Sequence, residues 1–276
     1  MCSTCGCGEN ENVRIYRPGE ADEKTGDKIH AHLHHHHHHS HEHNHHEGHH
    51  HSTEIQVGAD ILSANNLLAE RNRGYFEALG IFALNIISSP GAGKTTILER
   101  TIKEIGGKAV FSVIEGDQHT DNDSKRIQEL HIPVVQVNTG EGCHLDARMV
   151  NDAVKKLAPG KNSVLFIENV GNLVCPSLFD LGEAKRIVIF SVTEGDDKPE
   201  KYPTIFHTSD LCIINKTDLL PYVEFSTEKA KEMALRLNPD LKFFEVSAKT
   251  GEGMQEWYNW LLSNSKELNR QATSKD

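Results

Sequence analysis

Eight residues, Ser88-Ser89-Pro90-Gly91-Ala92-Gly93-Lys94-Thr95, set between the apolar run Phe82 to Ser88 and a helix-compatible stretch, leave this chain few architectures to choose from. Glycines and small residues at such a turn let successive backbone N–H groups close around an anion at a helix N-terminus. The order matches the phosphate-binding pattern GxxxxGK[ST], with Ser88 in the place of the first glycine. Ser89, Gly91, Ala92, Gly93, Lys94, Thr95 and Thr96 are therefore the expected phosphate contacts. Lys94 adds a positive charge between the β and γ phosphates, and the Thr95 hydroxyl is placed for Mg²⁺.

The rest of the chain fits an α/β fold. The segment ADILSANNLLAERNRGYFEALG has helical spacing and leads into the strand Phe82 to Ser88. Apolar, β-rich runs then recur at AVFSVIE, IPVVQVN, SVLFIEN, RIVIFSV, LCIINK and FFEVSA. Helical patterns such as DSKRIQELH, LDARMVNDAVKKL and TEKAKEMALRLN separate several of them, which predicts βαβ units and a mostly parallel sheet flanked by helices. Ligands of such sheets bind beyond the carboxyl ends of the strands, and the motifs fall there.

Asn215-Lys216-Thr217-Asp218 closes the run LCII and matches the NKxD element of GTPases. An ionised Asp218 can accept from both N1–H and the exocyclic amine of guanine, an edge that adenine does not present, while the Lys216 stem lies along the base. Ser247-Ala248-Lys249, after the next strand, suits a second guanine-contacting loop. Among the acids, Glu115-Gly116-Asp117 closes the second strand and Glu168-Asn169-Val170-Gly171 the fourth, where many GTPases carry a DxxG switch. Asp117 and Glu168 are read as holding Mg²⁺ with Thr95, or else as helix caps; with Lys94 these make up the catalytic group. Nothing in the sequence stands out as a water-orienting glutamine, which predicts slow turnover.

Composition changes near residue 55. Residues 30 to 51 hold 15 of the 19 histidines, with almost no apolar residue to bury. We therefore divide the chain into an N-terminal cysteine motif (1–8), a disordered histidine-rich tail (9–54) and a nucleotide domain (55–270). Cys2, Cys5 and Cys7 can wrap one soft or borderline cation, Ni²⁺ or Zn²⁺. The tract, with His34, His35, His36, His37, His38 and His39 at its centre, offers capacity for Ni²⁺, Cu²⁺, Zn²⁺ or Co²⁺ rather than selectivity. Inside the domain, Cys143 and His144 are expected to open the helix after the third strand, where a thiol has a lowered pKa, and Cys175 follows the ExxG segment. Cys212, within LCII, reads as an inert core residue, and His119, His131 and His207 as surface or satisfied core groups.

The formal net charge of −11 gives no electrostatic footprint for nucleic acid. No stretch approaches the apolar length needed to cross a bilayer, and MCSTCGCGEN lacks the core of a signal peptide, so a cytoplasmic location without membrane contact is expected.

Taken in order, CxxCGC, SPGAGKTT, EGDQHTDND, TGEGCHLDA, ENVGNLVCP, TEGDDKPEKYP and NKTD resemble the hydrogenase nickel-incorporation (maturation) GTPase family, HypB-like, across essentially all of residues 55 to 265. The resemblance implies a P-loop G domain of the SIMIBI type that hydrolyses GTP. It also implies nickel on Cys2, Cys5 and Cys7, a second site for nickel or zinc on Cys143, His144 and Cys175, and GTP-dependent homodimerisation. The implied partners are a small nickel-binding hydrogenase accessory protein and the hydrogenase large-subunit precursor; the histidine tract looks like a nickel reservoir. A urease-type nickel accessory GTPase and a nickel storage protein with a regulatory nucleotide domain are the alternatives.

Overall fold

The computed structural model describes residues 13–20, 51–118 and 120–273, with backbone alone for 51–59 and 268–273. Cys2, Cys5, Cys7, His34 to His39 and His119 lie outside the described residues. The architecture is a P-loop GTPase-like α/β fold, a mostly parallel sheet between helices. Its strands are β1 (Arg14–Tyr16), β2 (Phe82–Ser88), β3 (Phe111–Asp117), β4 (Val134–Asn138), β5 (Val164–Glu168), β6 (Lys185–Ser191), β7 (Leu211–Asn215) and β8 (Lys242–Glu245), in the spatial order β1-β4-β3-β5-β2-β6-β7-β8. Each strand run read from the sequence matches one of them, and β2 keeps its expected bounds.

The helices are α1 (His51–Leu79), α2 (Lys94–Ile105), α3 (Asn122–Gln128), α4 (Ala147–Leu157), α5 (Lys198–Lys201), α6 (Pro203–Thr208), α7 (Thr227–Leu237) and α8 (Met254–Thr273). Successive β2 side chains point to opposite faces of the sheet, so both faces of this central strand must be covered and all seven of its residues are buried. Phe82, Leu84 and Ile86 join a core built with α2, α3 and α8. Ala83 joins a cluster with α1 and α4 on the other face, and Ile87 one with α6 and α7. Helix α4 shows how the sequence places such an element: Asp146 caps it by accepting from Met149 N–H at 2.7 Å. Its buried side chains, Ala147, Val150, Ala153, Val154 and Leu157 among them, recur at the three- and four-residue spacing of one helical face.

One strand was not legible. Within the segment assigned above to the tail, Arg14–Tyr16 pairs antiparallel with the edge strand β4, Arg14 opposite Asn138 and Tyr16 opposite Gln136. Three residues are too few for a periodic signal; the edge of the sheet selects them. Among the described residues no helix is long and apolar enough to cross a membrane.

Candidate nucleotide and metal sites

The P-loop joins β2 to α2, so the N–H groups of the first helical turn face the carboxyl end of the sheet. Gly93 precedes the helix with φ 96°, and a Cβ there would come 2.5 Å from Asn215 Nδ2, so both backbone angle and close approach demand glycine. Ser88, in place of the usual first glycine, has a use: its hydroxyl donates to Ser89 O at 2.7 Å and accepts from Lys94 Nζ at 3.0 Å.

Asn215 ties three motifs into one unit. Its Nδ2 donates to Ala92 O at 2.8 Å and its Oδ1 accepts from Ala248 N–H at 3.2 Å, joining the P-loop to the Ser247-Ala248-Lys249 loop. Lys216 adopts the left-handed conformation with φ 62° and lays its stem across the P-loop, Nζ donating to Gly91 O at 2.7 Å. A lysine held there is backbone strain of the kind that gathers at ligand sites. Asp218 Oδ1 accepts from the Ser247 hydroxyl at 2.6 Å, which orients the carboxylate.

Thr95 Oγ1 donates to Glu168 Oε1 at 2.8 Å, which sets the hydroxyl and the carboxylate side by side. Asp117, assigned above to the same cation, instead accepts from Thr120 N–H at 2.9 Å. The carboxylates whose oxygens converge with Glu168, within 4.8 Å of one another, are Glu115 and Asp123. Glu115, within the Glu115-Gly116-Asp117 strand end, stands directly beside Glu168 in the parallel β3–β5 register, so the two side chains share one face of the sheet, whereas Asp117 lies two residues further toward the end of the strand. Asp123, the last residue of EGDQHTDND, arrives from α3, and its spacing in that string does not mark it as a ligand. Burial, then the Glu168 charge, pushes the Glu115 carboxyl well above the ordinary range. Burial also raises Glu168, against the pull of Lys94. Glu115 Oε2 and Glu168 Oε2 are buried without a hydrogen-bond partner. Such a set of hard, unsatisfied oxygens beside a P-loop threonine fits Mg²⁺.

The loop after β4 and the ExxG segment after β5 bring the ligand atoms of Cys143, His144 and Cys175 within 4.8 Å of one another. Cys143 does not open a helix: α4 starts at Ala147, and the loop carrying the thiol precedes its cap. The thiol is accordingly not lowered. Burial, then the neighbouring Cys175, pushes it up to about 11. Burial lowers His144, favouring the neutral imidazole, and its ring stacks on Phe179 at 4.0 Å between ring centres. Two thiols and an imidazole suit nickel and zinc alike.

A link between the two sites comes from Asn169, next to Glu168. Its Oδ1 accepts from Leu145 N–H and from Val170 N–H, both at 3.0 Å, so the loop bearing Cys143 and His144 rests on the switch segment. Gly171 closes that segment against the P-loop, where a Cβ would stand 3.2 Å from Pro90 Cγ.

Residues 82–245 match a family described as "CobW/HypB/UreG, nucleotide-binding domain". The Hydrogenase maturation factor HypB of Azotobacter chroococcum mcd 1 is 46% identical over 283 residues, covering 95% of this chain and 92% of that protein. The chain belongs to the HypB family of hydrogenase maturation factors. The crystal structure of HypB from Archaeoglobus fulgidus shares its fold with a TM-score of 0.70 at 43% identity, covering 74% of this chain and all of that one. HypB from Helicobacter pylori in complex with nickel gives 0.69 at 38% identity, over 74% of this chain and 96% of that one. Of the cysteines that HypB reading leaves aside, Cys212 is fully buried in β7, and burial raises its thiol far out of reactive range. Among the remaining histidines, His207 is satisfied by the Leu237 carbonyl, 3.0 Å from its Nδ1.

Proposed function

We propose that this chain hydrolyses GTP and carries nickel to the large-subunit precursor of a hydrogenase, receiving or passing the metal through a small nickel-binding accessory protein. Lys94, Thr95 and the P-loop amides bind the phosphates, and Asp218, with Asn215, Lys216, Ser247, Ala248 and Lys249 around it, selects guanine. Mg²⁺, held by Thr95 and Glu168 with Glu115 or Asp123 near it, supplies charge neutralisation at the γ-phosphate. Cys2, Cys5 and Cys7 hold one nickel tightly, the histidine tract stores more, and Cys143, His144 and Cys175 form the internal site. Three ligands per chain leave a coordination position that a second copy can fill across a two-fold axis.

The observation that carries this reading is the path Thr95, Glu168, Asn169, Leu145: a γ-phosphate-side threonine connected, by two hydrogen bonds and one peptide unit, to the loop that holds the metal ligands. Loss of the γ-phosphate loosens that segment, moves Cys175 relative to Cys143 and weakens the internal site. By reciprocity nickel favours the GTP state by the same factor. The test is a nickel titration of the chain with Cys2, Cys5 and Cys7 changed to Ser and residues 30–51 deleted, in GDP and in a non-hydrolysable GTP analogue, with mass followed by light scattering. Tighter nickel and a dimer with the analogue are expected. Equal affinity and equal mass in both states would overturn the coupling. The parent chain, titrated in parallel, should bind several more nickel ions.

A further inference from the structure

One buried ion pair, Glu183 with Arg186, bonds neither the nucleotide loops nor a ligand side chain, although it lies between the elements that carry both. Asn85 and Arg186 stand opposite each other in the parallel β2–β6 register, so their side chains share one face of the sheet. The Glu183 side chain is 5% exposed and that of Arg186 11%. Glu183 Oε1 accepts from Arg186 Nε at 2.9 Å and from Asn85 Nδ2 at 3.1 Å, while Oε2 accepts from Leu181 N–H at 2.7 Å. Charges buried this far persist only when paired and hydrogen-bonded. The guanidinium uses its remaining donors on two main-chain carbonyls, Nη1 on Ser177 O at 2.9 Å and Nη2 on Phe179 O at 3.0 Å.

Those carbonyls belong to the segment that carries one arm of the metal cluster. Cys175 opens the one-turn 3₁₀ helix Cys175–Leu178, and the Ser177 hydroxyl donates back to Val174 O at 2.6 Å. Arg186 therefore fixes Ser177, and Ser177 fixes the peptide that precedes Cys175. Phe179, the second residue held, stacks on the His144 ring. The inner end of the ion pair leads to the other arm. Asn85 Oδ1 accepts from Asn169 Nδ2 at 3.3 Å, and Asn169 Oδ1 accepts from the N–H of Leu145, the residue after His144. Asn85 and Asn169 are 0% and 1% exposed, so water does not compete for these bonds.

We propose that Arg186, held by Glu183, is a positioning residue for the Cys143, His144 and Cys175 cluster: it fixes the Cys175 arm against the Cys143 and His144 arm, so that both thiols meet a cation already in place. This rests on the reading of these three residues as metal ligands given above. A loose arm would lose conformational freedom when the metal binds, and ordering it beforehand removes that cost. Lysine cannot do the same. Its ammonium is a point donor, whereas two carbonyls and a carboxylate oxygen arranged around one group match the planar fork of arginine.

The test uses the full chain with Cys2→Ser, Cys5→Ser and Cys7→Ser and takes Co²⁺ as the probe, its free concentration set by a chelator buffer. Thiolate-to-cobalt charge-transfer absorption then reports on Cys143 and Cys175, since histidines give no such band and Cys212 is fully buried. Arg186→Lys should weaken Co²⁺ binding about 10- to 100-fold. Glu183→Gln, which strips Arg186 of its counter-charge, should weaken it as well. Trp257→Phe is the control for lost stability: it removes the 2.9 Å bond from Trp257 Nε1 to Thr101 Oγ1 in the core on the opposite face of the sheet, and should leave Co²⁺ affinity unchanged. The same chains without metal are treated with phenylarsine oxide, which condenses with two neighbouring thiols, forming two As–S bonds and releasing one water. Capture of Cys143 with Cys175, followed by mass spectrometry, should slow about ten-fold in Arg186→Lys and stay unchanged in Trp257→Phe. The two variants act on opposite ends of the ion pair, so either one that folds decides the outcome. Parental Co²⁺ affinity and capture rate in them, or an equal loss in Trp257→Phe at matched urea stability, would overturn the positioning role. Capture needs no metal: slowed capture where no variant shows a charge-transfer band rejects the metal reading and keeps the positioning of the thiols, whereas unchanged capture beside unchanged Co²⁺ binding rejects the positioning alone.

Discussion

Two buried asparagines separate what holds the fold from what holds the nucleotide. Asn215 and Asn72 are each 2% exposed. Asn215 bonds Ala92 O and Ala248 N; Asn72 donates to Ala147 O at 2.8 Å and Leu181 O at 3.0 Å and accepts from Asn151 Nδ2 at 2.8 Å. Truncation to alanine leaves those partners buried and unpaired, at roughly 1–3 kcal/mol for each group that water does not reach. Both Asn215→Ala and Asn72→Ala should therefore lose about 2–4 kcal/mol in urea unfolding of the nucleotide-free chain. Their effect on binding should differ. Asn72 joins α1 to α4 and to the loop before β6 and bonds no residue of the P-loop, NKTD or Ser247-Ala248-Lys249, so its loss should leave GTP affinity unchanged. Asn215 fixes the carbonyl next to Gly93, so part of its loss falls on the geometry of the phosphate amides. If about 2 kcal/mol of it is recovered only when those loops are ordered, GTP affinity falls about 30-fold. Calorimetric titration with a GTP analogue measures it. Wild-type affinity in Asn215→Ala, or an equal fall in both variants, would refute the division of roles.

Two further outcomes follow from the same geometry. Asp218→Asn turns one acceptor oxygen into a donor, so xanthosine nucleotides should be preferred over guanosine ones; an unchanged GTP dissociation constant in competition binding would reject Asp218 as the base reader. Because Glu115 has its folded-state pKa raised, its contribution to stability is complete below its unfolded value of 4.5 and declines as pH rises toward the folded one. The metal-free chain should then lose stability with rising pH above that value, and Glu115→Gln should flatten the slope in urea titrations; an equally steep slope would reject the buried carboxyl as its source.

Sequence by itself brought out the P-loop, NKTD and Ser247-Ala248-Lys249, which the fold joins into one candidate site, because they are contiguous strings whose chemistry depends on local backbone and fixed order. The strands were legible for a similar reason: a buried parallel strand must be continuously apolar. Tertiary structure alone decided the features that join distant segments. Glu115 and Asp123, the two ends of EGDQHTDND, come to Glu168 through the β3–β5 register and a helix approach, and the string by itself does not single them out from Asp117. Cys143 gains a raised rather than a lowered pKa because the turn before Asp146 buries it beside Cys175, a fact of loop path and not of residue type. The strand β1 exists only because β4 presents an open edge to three residues of unremarkable composition.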